Sequence, residues 1–166
     1  MKPLLLALGL AGAAAAPAVA QQHQHNQHPD SAASDSAFRQ VQARGRRTMG
    51  VDQTTSKHVF ADLRDGGRIE LVSESGDTAD VRRIREHLLE SAGQFARGDF
   101  TAPFLTHAQV VPGTAVMAAR RAAIRYTYRD LPRGGEIRLA TRDPGALAAI
   151  REFLAFQRAD HRAEAH

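Results

Sequence analysis

Hydrophobic positions along this chain pass from a period of two to a period near 3.6, and they do so twice in the same order. Ile69 and Leu71 alternate with Arg68 and Glu70, the rhythm of a strand with one buried face. Val81, Ile84, Leu88 and Phe95 then fall on one side of a helix. Further on, Ile124, Tyr126 and Tyr128 share a strand face, Ile137 and Leu139 mark a return strand, and Leu147, Ile150, Leu154 and His161 form a helical stripe.

The two stretches also repeat in words. Asp62-Leu63-Arg64-Asp65-Gly66-Gly67-Arg68-Ile69-Glu70-Leu71 returns as Asp130-Leu131-Pro132-Arg133-Gly134-Gly135-Glu136-Ile137-Arg138-Leu139, and Ile84-Arg85-Glu86-His87-Leu88 returns as Ile150-Arg151-Glu152-Phe153-Leu154. Each copy predicts a hairpin followed by a helix. The first has strands over 58–63 and 68–73, turning through Asp65-Gly66-Gly67, where glycine permits positive φ. Its helix is capped by Asp77 or Thr78 and stops at Gly98. The second has a strand over 122–130, a turn at Arg133-Gly134-Gly135, and a helix opened by Asp143-Pro144. A lone hairpin is marginal in water, so the units should need one another. The expected fold is α+β: a tandem β-β-α repeat forming a four-stranded antiparallel sheet with two helices on one face.

The ends have a different character. Lys2, the apolar run over 4–16 and the small residues Ala18-Val19-Ala20 read as a signal peptide over 1–20, which predicts a periplasmic or secreted protein beginning at Gln21. Residues 21–50 are rich in Gln, His, Ser and Arg with little apolar periodicity, so a disordered arm is expected. One domain over 51–161 remains, with repeat units at about 56–97 and 122–160 and an insertion at 98–121. The 22 Lys and Arg outnumber the 18 Asp and Glu, but acidic residues are interleaved with the arginine clusters. That balance argues against a nucleic-acid partner. No cysteine is present, which removes disulfides and thiolate chemistry.

Histidine is the abundant chemistry-bearing residue, with eight in the chain. At the expected new terminus, Gln21, Gln22 and His23 offer an amine, backbone amides and an imidazole, a square of nitrogens suited to Cu(II) or Ni(II), with His25 and His28 as further ligands. Inside the domain the candidates are His58, on the face of Phe60; His87, where the second copy has Phe153; and His107 in the insertion, with Met117 beyond it. These four suit a soft copper site or, through the three histidines, zinc. For acid–base work His87 and His107 are the candidate pair, with Asp99 or Asp62 to orient an imidazole. No serine elbow or phosphate loop appears.

Met49-Gly50-Val51-Asp52-Gln53, Lys57-His58-Val59-Phe60, Gly66-Gly67, the run from Ile84 to Leu88, Gly98-Asp99-Phe100, Pro103 and His107 together resemble an uncharacterised family of small exported bacterial proteins. The resemblance spans the domain from Met49 onward and excludes the arm. Members often carry the automatic label aspartate carbamoyltransferase, which this chain does not support: it has neither the length for two α/β domains nor a Ser-Thr-Arg-Thr carbamoyl-phosphate loop.

The first functional expectation is an exported, non-catalytic binding protein for a small ligand or transition metal, copper preferred. The alternatives are a small enzyme using His87 and His107, and an interaction module pairing through an edge strand. Homodimerisation stays open.

Overall fold

A computed structural model describes residues 29–51 and 54–163. Helix α1 covers Pro29–Met49; the first repeat unit supplies strands β1 (Ser56–Leu63) and β2 (Gly66–Ser73) and helix α2 (Thr78–Ala96). Two short helices, α3 (Thr101–His107) and α4 (Thr114–Ala119), fill the insertion. The second unit follows as β3 (Ile124–Leu131), β4 (Gly134–Thr141) and α5 (Pro144–His161). The β-β-α pattern therefore occurs twice, and the four strands form one antiparallel sheet in the order β1-β2-β4-β3.

The register shows how the duplication closes. Ile69 pairs with Ile137 across the central β2–β4 seam. Ser73 N donates to Arg133 O and Thr141 N donates to Asp65 O, both at 2.8 Å, so matching residues of the two units make matching bonds. His58 and Phe60 lie opposite Leu71 and Ile69, and Tyr126 and Tyr128 lie opposite Leu139 and Ile137. These residues share the face that α2 and α5 cover. The other face carries charge: Arg129 holds the Glu136 carboxylate with two hydrogen bonds of 3.0 Å, and Arg68 Nε lies 3.8 Å from the same group.

The glycine pairs work differently from the expected turn. The loops are Arg64-Asp65 and Pro132-Arg133, and both glycine pairs already belong to β2 and β4. Their value is close approach. A Cβ on Gly135 would lie 2.8 Å from Tyr128 Cε2 and 3.1 Å from Leu88 Cδ1, and one on Gly67 would collide with Leu154 Cδ1. Each helix thus seats a leucine on the other unit's glycine. The halves interlock.

Helix ends follow the sequence. Asp77 caps α2, its Oδ1 accepting from Ala79 N at 2.9 Å and Asp80 N at 3.1 Å. Asp143 caps α5 by accepting from Ala146 N at 2.7 Å, with Pro144 in the first turn. Asp77→Ala should cost about 1 kcal/mol, because two amides lose their acceptor; the midpoint of a urea melt checks it.

The arm is corrected over the part described. Residues 29–49 form α1, which packs on α3 and α5. Val41 and Gly45 are buried, Arg44 Nε donates to Thr106 O at 2.8 Å, and Arg162 binds Asp35 at 2.6 Å while its guanidinium lies over the Phe38 ring. The expected signal peptide and Gln21, Gln22, His23, His25 and His28 lie outside the described residues. No helix among the described residues is long and apolar enough to cross a membrane.

Candidate functional site

Between the sheet, α2, α3 and the last turn of α5 lies a cavity of about 70 Å³. Four histidines line it, each from a different element: His58 of β1, His87 of α2, His107 of α3 and His161 of α5. Met49, Thr106 and Gln157 join them, and aromatic and aliphatic side chains complete the wall. No aspartate or glutamate lines the cavity.

Three of the four rings are in contact. His58 stacks on His161 with centroids 5.2 Å apart and planes 17° apart. His107 meets His161 edge to face at 5.1 Å, and Phe60 lies 5.6 Å from His161 on another side. His58 Nε2 is buried with no hydrogen-bond partner. Such an orphaned nitrogen is costly in an apolar wall and marks a place where a partner would be welcome.

His107 is held differently. Its Nδ1 hydrogen-bonds Asp160 Oδ2, and its Nε2 lies 3.1 Å from Gln157 Oε1. A neutral ring donating to Asp160 satisfies both contacts only if the Gln157 amide turns its NH2 towards Nε2; an imidazolium donates at both. Either way both nitrogens are engaged. His107 is thereby fixed against His161, and for it to exchange protons with a substrate one of these bonds would have to break.

Burial tunes the other rings. Desolvation pushes the His58 imidazole down to about 4, with the neighbouring His87 as a second cause, and desolvation pushes His87 itself down to about 4. His161 is also held well below the ordinary histidine range by burial, then by His58 and His107. These three rings are therefore uncharged near pH 7. Neutral imidazole is the form that binds a metal ion.

The duplication supplies an internal comparison. Strand positions of the two units differ by 68 and helix positions by 66, so His58 corresponds to Tyr126, His87 to Phe153 and His161 to Phe95. The stacked His58–His161 pair has its counterpart in Phe95 and Tyr126, centroids 6.0 Å apart, and Phe95 also meets Phe153 edge to face. One half of the fold fills these places with Phe95, Phe153 and Tyr126. The other half fills the same places with imidazoles, which packing alone does not require.

Three of the expected domain residues, His58, His87 and His107, come together. Met117 does not: it is fully buried on α4 in the hydrophobic core and does not line the cavity. The methionine that lines the cavity is Met49. The expected carboxylates are elsewhere too, since Asp62 pairs with Arg158 at 3.0 Å and Asp99 accepts from Thr101 N; Asp160 is the one at His107. His161 and Asp160 were missed as site residues. Extending the helix repeat from Leu88/Leu154 to Phe95/His161 would have exposed the third histidine-for-aromatic exchange.

Among the described residues, no three histidine, aspartate or glutamate side chains are placed to hold one metal ion together. Comparison with protein-family models, with curated proteins and with solved structures finds no match.

Proposed function

We propose that this chain is an exported, non-catalytic binding protein whose ligand is a transition-metal ion, copper first, held in the histidine cavity. The observation that carries this reading is the gathering of His58, His87, His107 and His161 from four elements around one small space. Size supports an ion over a metabolite, because pockets for organic ligands run to about 300–1,000 Å³ and this one is far smaller. Donor type supports a borderline or soft metal: uncharged imidazoles and a thioether suit copper better than calcium or magnesium. The motifs that resemble the small exported family contribute three of the four rings, through Lys57-His58-Val59-Phe60, the run from Ile84 to Leu88, and His107.

The test must separate the cavity from the arm. In the full chain carrying His23→Ala, His25→Ala and His28→Ala, copper titration followed by metal analysis should show one equivalent retained. Adding His58→Phe, His87→Phe and His161→Phe should abolish it while circular dichroism and melting show a folded domain. If the arm variant retains no transition metal and the ring substitutions change only stability, the reading is wrong.

A further inference from the structure

We infer that the ion this cavity selects is monovalent copper, bound by His58 and His161 as a two-coordinate bis-imidazole centre, with His107 as the positioning residue. The inference rests on the metal-binding reading above and narrows it to one oxidation state and one pair of ligands.

Coordination number is the first argument. Zinc in proteins is almost always four-coordinate, and Cu(II) takes tetragonal sets of nitrogen and oxygen donors. Cu(I) is a closed-shell d¹⁰ ion that accepts two imidazole nitrogens in a line. The described residues present no triad, but they do present two rings in direct contact, His58 and His161. One of them carries a buried nitrogen without a partner, His58 Nε2. Both rings line the cavity of about 70 Å³, and binding would turn them so that one nitrogen of each faces the ion.

Charge is the second argument. The cost of burying an ion grows with the square of its charge, so a dication costs about four times as much as a monocation in the same site. No carboxylate lines this cavity to offset a second positive charge. Asp160, the carboxylate hydrogen-bonded to a lining ring, is already engaged by His107 Nδ1. Phe60, Ile69, Leu71 and Phe153 make the rest of the wall a poor medium for a dication.

The surroundings are built to hold the pair. His107, locked by Asp160 and Gln157, meets His161 edge to face at 5.1 Å, and Phe60 lies 5.6 Å from the same ring. Arg158 ties α5 to β1 one turn before His161, donating to Phe60 O at 2.8 Å and to Asp62 at 3.0 Å. The strand and helix that carry the two ligands are thus pinned together.

The experiment is an anaerobic competition for copper in the full chain with His23, His25 and His28 replaced by alanine. A chromogenic Cu(I) chelator with ascorbate is used in one arm, and Cu(II) and Zn(II) with their own indicator chelators in two others. The expected result is one Cu(I) per chain, held at least about 100-fold more tightly than either dication, with an X-ray absorption spectrum of two nitrogen neighbours. His58→Phe or His161→Phe should weaken Cu(I) by more than about 100-fold, beyond the loss of an outer-shell partner. Asp160→Asn should weaken it less while leaving the two-nitrogen spectrum intact. Tighter binding of Zn(II) or Cu(II), or a four-neighbour spectrum, overturns the Cu(I) assignment and leaves metal binding standing. No binding of any of the three ions overturns both readings. The spectrum of the unsubstituted cavity decides the ligand number even if a variant fails to fold.

Discussion

Taking the protein from pH 7 to pH 4 should lower its unfolding free energy by roughly 3–5 kcal/mol, most of it lost between pH 6.5 and 4. The cause is the buried rings. His58 and His87 sit at about 4 in the folded protein against an ordinary 6.5, and His161 is displaced in the same direction. The sign follows from proton counting. Between those limits the unfolded chain binds protons that the folded chain refuses, so falling pH favours unfolding; above 6.5 the stabilisation is complete, and below about 4 His58 and His87 add no further loss. One pH unit of displacement is worth about 1.4 kcal/mol per group, but the rings face one another and titrate as a set, so simple addition would overstate the total. His58 faces His87 and His161, His161 faces His58 and His107, and the one carboxylate bonded within the group is Asp160, on His107. Few single domains have more than 5–15 kcal/mol to lose. Urea melts at pH 7, 5.5 and 4.5 read the effect directly. The control is His58→Phe with His87→Phe and His161→Phe, which gives this half the aromatic, non-titrating character of its counterpart; its stability should be nearly flat over the same range. Phe is preferred to Tyr at 58 because Tyr126 already buries a hydroxyl without a partner. A wild-type curve as flat as the variant's would show that the rings are not buried uncharged.

The fold was largely legible because two independent signals agreed. The period-two and period-3.6 patterns located the elements, and the repeated words required the two halves to resemble one another, so the β2–β4 seam joining Ile69 to Ile137 follows from the duplication. Two local readings failed for physical reasons. Glycine can serve a turn or a close approach, and sequence alone did not separate them: Gly66-Gly67 and Gly134-Gly135 serve the approach of strands and leucines. Helix α1 was hidden by its polar composition, yet Phe38, Val41, Gly45 and Met49 fall at spacings of three, four and four, a narrow stripe against α3 and α5. At the site, three histidines were visible as residues, but their convergence is a tertiary fact. His161 reads as the end of the apolar stripe of α5, but Ile150 and Leu154 of that stripe belong to the core, and His161 reaches the cavity with Phe153 and Gln157.

Gly134→Ala and Gly66→Ala should each destabilise the domain by about 3 kcal/mol or more, the larger loss falling on Gly66. A Cβ on Gly134 would lie 2.9 Å from both the Leu71 carbonyl carbon and Val72 Cα, and closer still to the Leu71 oxygen; one on Gly66 would lie 2.8 Å from the Leu139 carbonyl carbon. Those obstacles are backbone atoms of the central strands. They cannot rotate aside, so the added methyl must part β2 from β4 at one end of their ladder. Gly66 also has φ +150°, a conformation that adds strain for any residue with a side chain. Gly93→Ala provides the contrast: it lies within α2, its nearest obstacle is the tip of Arg97 at 3.4 Å, and the better helix propensity of alanine should stabilise by up to about 1 kcal/mol. Denaturant melts of the three variants rank them. Comparable large losses at Gly66 and Gly134, on opposite ends of one seam, are what an interlocked duplication requires, because neither unit can yield without opening the other. A tolerant Gly134 beside an intolerant Gly66 would mean that backbone strain at Gly66 dominates and that the seam between the halves is loose.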